Sequence, residues 1–396
     1  MSFQSLNAIR CLISNDRIYG ERIMGMTKRE NILAAIRGEV PERVPVSPTI
    51  HWRFAEKLLG SYHWKDVIEV HRRVGSTASY RLPVSIGPNS DYDPRWGMET
   101  RVLKDDGIEK TYERKISNHK GELTTIQTIG FDSADPTLGF AKEYFVKEPK
   151  DWDVVEAYWE DELENTGLPE HVEIDEASYF LGDKGIAGTV DNSTFARLSL
   201  MRGMMGMLYD LYDIPDRLHA LMDLAWKYRE REIQSFLESK ADTFTYDICW
   251  ATGANISPAM FREWVFPDIS RVCEMIRKVP DKYVGFYTLG RIKGYLDMMV
   301  EARPHYIATF EQNEGDITLA EAKKRVGNKV CLIGNFDPLI LQDGTLEEAR
   351  REARRCLGEG MPGGAYIMGT GDEVPPTTKL ENLKAMVEIA EEYGKY

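Results

Sequence analysis

Acidic side chains follow short apolar runs at several places in this chain. A carboxylate so placed can protonate a leaving group, take up a proton or hold a cation. Asp247 ends Thr243-Phe244-Thr245-Tyr246, with Cys249 two residues on, and so on the same face of a strand, and Trp250 beyond it. Glu311 ends Ile307-Ala308-Thr309-Phe310, and Asp372 and Glu373 follow Tyr366-Ile367-Met368-Gly369-Thr370. An unpaired charge in apolar surroundings is costly, so Asp247 and Glu311 read as chemical positions. Val330-Cys331-Leu332-Ile333 stops at Gly334-Asn335-Phe336-Asp337-Pro338, leaving an amide and a carboxylate at its end. Asp337 could equally cap the helix that follows. Tyr287 and Thr288 offer hydroxyls, and His51 offers a base or ligand, or merely a surface imidazole. Trp52, Trp250 and Tyr287 would suit a flat apolar ligand. Cys249 reads as a ligand or a small core residue. Asn89, Asp91, Asp93, Asp191 and Asn192 complete the polar residues that follow apolar segments.

These residues meet only if the strands that carry them end in one place. Strand-like segments occur at 44–47, 81–86, 185–190, 243–249, 284–288, 306–311, 330–335 and 365–370. Most are separated by amphipathic helical stretches such as 214–237, 258–279, 318–326 and 346–357. Eight βα units favour an α/β chain folded as a closed (β/α)8 TIM barrel, whose strand carboxyl ends converge on one mouth. No Gly-x-Gly-x-x-Gly follows the first strand, which argues against a dinucleotide-binding open sheet. His305 precedes its strand, at the end away from the mouth, and reads as structural. The Met-rich stretch 200–211 reads as a packing helix or an adaptable wall beside a ligand.

Residues 26–396 are expected to form the barrel, with an insertion at about 95–183. Within it, 99–130 alternate polar and apolar residues as antiparallel hairpins do, and 131–183 read as an acidic linker with one short helix near Trp152 to Trp159. Residues 1–25 are expected to be an extension. Thr27 and Glu30 then form a capping box for the first helix.

Composition narrows the function. A net charge of −14 argues against nucleic acid as the main ligand. No run approaches the length of a membrane span and no secretory pattern opens the chain. The 5 cysteines are scattered without a Cys-x-x-Cys pair, which fits a reducing cytoplasm. The partner expected is a small molecule, and a homo-oligomer stays open.

Met26-Thr27-Lys28-Arg29-Glu30 followed by Pro41-Glu42-Arg43-Val44-Pro45 resembles the opening of uroporphyrinogen decarboxylase-like proteins. So do Ile256-Ser257-Pro258-x-x-Phe261-Arg262, the Gly334-to-Pro338 stretch, and Gly369-Thr370-Gly371-Asp372 with Thr378-x-x-x-Asn382. The resemblance covers residues 26–396 and implies a (β/α)8 barrel that either decarboxylates a tetrapyrrole or moves methyl groups to or from corrinoid proteins. The decarboxylases carry an Arg-Gln-Ala-Gly-Arg segment that grips substrate carboxylates; here Pro48-Thr49-Ile50-His51-Trp52-Arg53 has a single Arg. The thiol-directed methyltransferases bind zinc through His-x-Cys and a later Cys. Tyr287-Thr288-Leu289 and Asp372 stand at those positions.

With those ligands replaced, the resemblance implies the methyl-donor side of the chemistry. A methyltransferase of that kind performs O-demethylation of a methylated, methoxylated aromatic substrate and passes the methyl to the corrinoid (cobalamin) of a partner protein, with acid assistance at the leaving oxygen. Asp247, Glu311, Asp372 and Tyr287 are the expected catalytic groups, and His51, Trp52, Trp250, Cys249, Asn335 and Asp337 the expected substrate contacts. Zinc on His51, Asp247, Glu311 and Asp372 stays conceivable, although no spacing demonstrates it. The alternatives are a uroporphyrinogen decarboxylase-like lyase and a non-catalytic member that binds a tetrapyrrole or a corrinoid protein.

Overall fold

The structure, a computed structural model, describes residues 25–61, 63–83, 98–107, 109–130 and 140–396. The expected extension at 1–25, but for residue 25, and Asn89, Asp91 and Asp93 lie outside the described residues. Strand β1 (Ala78–Pro83) is followed by four antiparallel strands, β2 (Met98–Asp105), β3 (Glu109–Asn118), β4 (Gly121–Gly130) and β5 (Phe140–Glu143). Then come β6 (Gly185–Asn192), β7 (Thr243–Asp247), β8 (Tyr283–Tyr287), β9 (Tyr306–Ala308), β10 (Cys331–Phe336) and β11 (Tyr366–Thr370). The order β1-β6-β7-β8-β9-β10-β11 makes one parallel sheet of 7 strands.

The expected first strand at 44–47 supplies the eighth position. Ser47 N donates to Met368 O at 2.9 Å, Met368 N to Pro45 O at 2.9 Å, and Thr77 N to Val46 O at 2.7 Å. This segment therefore bridges β11 to the residue just before β1 and closes the ring. It makes one parallel bridge, Val46 to Met368, because Pro45 and Pro48 have no N–H to extend a ladder. The expected second strand at 81–86 begins three residues earlier, at Ala78, and is described as Ala78–Pro83; residues 84–86 lie outside the described residues.

Helix Lys28–Ile36 begins with the capping box expected at Thr27 and Glu30. Its Ile32 and Ile36, one turn apart on one face, pack under the strands against Ile186, Tyr306 and Ile367 and close the base. Above them a cavity of about 40 Å³ remains inside the ring, reached by Ser47, Thr49, Arg81 and Thr245.

The inserted strands form a separate sheet in the order β2-β3-β4-β5. Ile116 and Leu123 join its core to Val154 of helix Trp152–Asn165, and Asn118 Nδ2 donates to Val154 O at 2.8 Å. The stretch read as a linker with one short helix instead carries two, Trp152–Asn165 and Val172–Leu181. Trp152, Val155, Trp159 and Leu163 form the buried stripe of the first, while the acidic residues that suggested a linker mostly face solvent. The Met-rich stretch is likewise two helices, Thr194–Arg202 and Met204–Asp213, broken at Gly203. The expected 258–279 helix breaks before Phe266-Pro267.

Candidate active site

β7 delivers Asp247 and β8 delivers Tyr287 as register partners at the mouth end of the ring. Both strands are continuous apolar or hydroxyl-bearing runs buried on two faces, so their last residues are held rigidly. Asp247 Oδ1 accepts from Cys249 N at 2.8 Å. Burial pushes the Asp247 carboxyl above its ordinary range, against weaker lowering by that hydrogen bond and by Arg81. Burial, then the Asp247 charge, pushes the Cys249 thiol up, so it remains a thiol. The Tyr287 hydroxyl donates to Asp372 Oδ1, and burial together with the Asp372 charge holds its proton firmly.

Glu311 reaches the same rim by a different route. β9 ends at Ala308 and Thr309 takes a φ of 61°, which turns the chain inward over the mouth. Glu311 Oε1 accepts from Gly290 N at 2.8 Å. The residue before Asp372 must be small: a Cβ on Gly371 would lie 3.2 Å from Glu311 Cα. Burial raises the Glu311 carboxyl, and the neighbouring Asp372 charge raises it further. Asp247 is thus linked to Tyr287 by strand register, Tyr287 to Asp372 by a hydrogen bond, and Asp372 to Glu311 by its charge.

His51 and Trp52 lie beside it with structural duties. His51 Nδ1 accepts from Arg53 N at 3.1 Å and so caps helix Trp52–Leu59. With Nδ1 accepting, the neutral ring carries its proton on Nε2, which lies 3.4 Å from Glu373. The Arg53 guanidinium stands 4.3 Å over the Trp52 ring. Trp250, half-buried after Cys249, accepts from Asn255 Nδ2 at its backbone oxygen, 2.8 Å away.

Asn335 and Asp337 depart from expectation. At Gly334 the backbone takes a φ of 150°, which a residue with a Cβ rarely adopts, and the alternation of faces is lost there. Asn335 is fully buried and its Oδ1 accepts from Arg355 Nη2 of helix Leu346–Gly360 at 2.9 Å, outside the ring. Asp337 takes the capping role, its Oδ1 accepting from Leu339 N at 2.9 Å at the start of helix Pro338–Gln342. Asp191 also turns outward, its Oδ2 lying 2.5 Å from Arg229. His305 is structural as expected: its Nδ1 accepts from Val284 N at 3.0 Å, and burial pushes its pKa down to about 4.

Arg81 was missed. It points inward from β1, its Nη2 donating to Thr49 Oγ1 at 3.3 Å and its guanidinium lying 5.4 Å from the Tyr287 ring. The signal was present in Ala78-Ser79-Tyr80-Arg81-Leu82-Pro83, where an arginine occupies the interior of a short strand. Reading 81–86 as the strand put it at the edge. Among the described residues no three His, Cys, Asp or Glu side chains come together to hold a metal ion. His51, Asp247, Glu311 and Asp372 therefore do not fit a zinc site. No helix among the described residues is long and apolar enough to cross a membrane.

A closed parallel barrel with carboxylates and a buried tyrosine at its mouth defines a (β/α)8 enzyme-like architecture. The chain belongs to the uroporphyrinogen decarboxylase (URO-D) family, whose model matches residues 188–393. It is 25% identical over 190 residues to the uroporphyrinogen decarboxylase of Thioalkalivibrio sulfidiphilus, covering 46% of this chain and 51% of that protein. It is 25% identical over 179 residues to the methylcobamide:CoM methyltransferase MtaA of Methanosarcina barkeri, covering 45% of this chain and 50% of the other. The chain thus spans about half the length of the curated relatives it matches. A methyltransferase from Methanosarcina mazei shares the fold with a TM-score of 0.63 at 15% identity, over 93% of this chain and 99% of that one.

Proposed function

We propose that this chain is a methyltransferase that removes the methyl group of a small methylated substrate, a methoxylated aromatic ether, and passes it to a corrinoid carried by a partner protein. The observation that carries the reading is the joined set Asp247, Tyr287, Asp372 and Glu311, in which two carboxyls are pushed toward their protonated forms by burial. An aryl ether releases its methyl poorly unless the departing oxygen is protonated. Glu311, at the rim beside the Asp372 charge, supplies that proton. Tyr287, oriented by Asp372, holds the oxygen in place, and Trp52 and Trp250 flank the ring. The oxygen keeps the electron pair of the broken C–O bond, and the phenol leaves with the proton from Glu311. The reduced corrinoid supplies the electron pair that the methyl accepts. It is a reactant brought by the partner protein to the open end of the ring.

The test supplies methoxylated aromatics with cob(I)alamin or a reduced corrinoid protein and measures phenol release and cob(I)alamin consumption. Corrinoid-dependent phenol release is expected. No phenol from any methoxyarene, or carbon dioxide released without corrinoid, would overturn the reading in favour of a lyase.

A further inference from the structure

Arg81 is the only Arg or Lys in the described strands of the barrel. Its side chain makes one hydrogen bond, to Thr49 Oγ1 at 3.3 Å, and among the described residues no carboxylate pairs with it. A guanidinium carries five donors, so most of its capacity is unused. A second group points the same way. Ser47 Oγ is buried without a hydrogen-bond partner, Ser47 is 6% exposed, and it lines the same cavity as Arg81 and Thr49. A buried hydroxyl left unmatched is costly, and here it lines the same cavity as a guanidinium that has no carboxylate at ion-pair distance among the described residues.

Direction adds a constraint. Ile32 and Ile36 seal the base of the ring, so a second protein can approach only from the mouth. The methyl group must then be the outermost part of the substrate, and whatever anchors the substrate must be innermost. We infer that Arg81, with Ser47 and Thr49, binds a carboxylate on the aromatic ring at the end away from the methyl ether, so that the substrates are methoxybenzoates. The inference rests on the reading proposed above and names its substrate class. Asp247 is compatible with it: burial pushes its carboxyl upward, against lowering by Cys249 and Arg81, which lessens its repulsion of an incoming carboxylate.

Binding of para-methoxybenzoate, para-methoxybenzamide and formate is measured by calorimetry on the full chain, with no corrinoid present, for the wild type, Arg81→Met and Arg81→Lys. The wild type is expected to favour the acid over the amide by about 10- to 100-fold. Arg81→Met is expected to abolish that preference and Arg81→Lys to keep part of it, with thermal melting confirming that both variants fold. Equal binding of acid and amide by the wild type overturns the inference, as does an unchanged preference in Arg81→Met. Formate bound as tightly as the methoxybenzoate would make this a site for a free small anion and overturn it too. If the acid binds through Arg81 but no phenol forms with corrinoid, the proposed reaction fails and the anchor stands. If neutral ethers are demethylated equally well by Arg81→Met, the anchor fails and the reaction stands.

Discussion

Two sets of carboxylates lie along this barrel wall, a buried one on the helix side and a half-buried one at the mouth. On the helix side, Asp191 meets Arg229 at 2.5 Å, and Glu232 meets both Arg229 and Arg197, the latter at 3.0 Å. The Arg229 guanidinium also lies 4.9 Å from the Tyr246 ring, whose hydroxyl donates to Asp268 at 2.6 Å. On the mouth side, Asp247 and Glu311 face backbone N–H groups and Asp372 faces a tyrosine hydroxyl. Arginine partners hold helix Pro215–Glu238 to β6, while burial pushes the Glu232 carboxyl upward against the lowering by Arg229. The hydrogen bonds to Asp247 and Glu311 come from backbone N–H groups, and burial pushes both carboxyls upward, which suits groups that exchange protons.

The sharpest way to break this contrast is to remove the cation of the helix-side set. Arg229→Met leaves Asp191 and Glu232 buried beside an apolar group and should cost about 3–5 kcal/mol of stability in urea unfolding. Glu311→Gln removes the proposed proton donor, so phenol release should fall about 100-fold or more while unfolding changes little. An unchanged rate would return Glu311 to a merely positional role. A pH series compares the two sets directly. The Asp247 pKa is raised on folding, so the native state binds more protons than the unfolded chain and stability declines as pH rises from the ordinary carboxyl range. Asp247→Asn should therefore be more stable than the parent at neutral pH, an advantage that shrinks as pH falls into the ordinary carboxyl range. Asp191→Asn should be destabilised at neutral pH, the opposite sign. The smallest effect concerns a carboxylate with neither role: Asp337→Ala should cost about 1 kcal/mol through the lost cap, with little change in activity.

The barrel was legible because its strands are short apolar runs bracketed by Gly, Pro and polar residues. The face of each strand-end residue was harder to read. Asp191 and Asp247 both terminate such runs, yet one points at a helix and the other into the mouth. A strand buried on both faces has no polar alternation to reveal which is which. Asn335 failed for a more local reason, since the backbone at Gly334 reverses the expected alternation. Arg81 was lost because the strand start was read three residues late, and helix Trp152–Asn165 to an acidic exposed face that hid a Trp-rich buried one.

The clasp formed by Pro45, Val46 and Ser47 joins residues at opposite ends of the barrel sequence. On the β11 side that seam is made by Met368 alone, so a chain that stops before β11 lacks both hydrogen bonds that close the ring there. The cavity that Ser47 and Arg81 line also takes a wall from Ile367 of β11, so the last strand completes what the first segments begin.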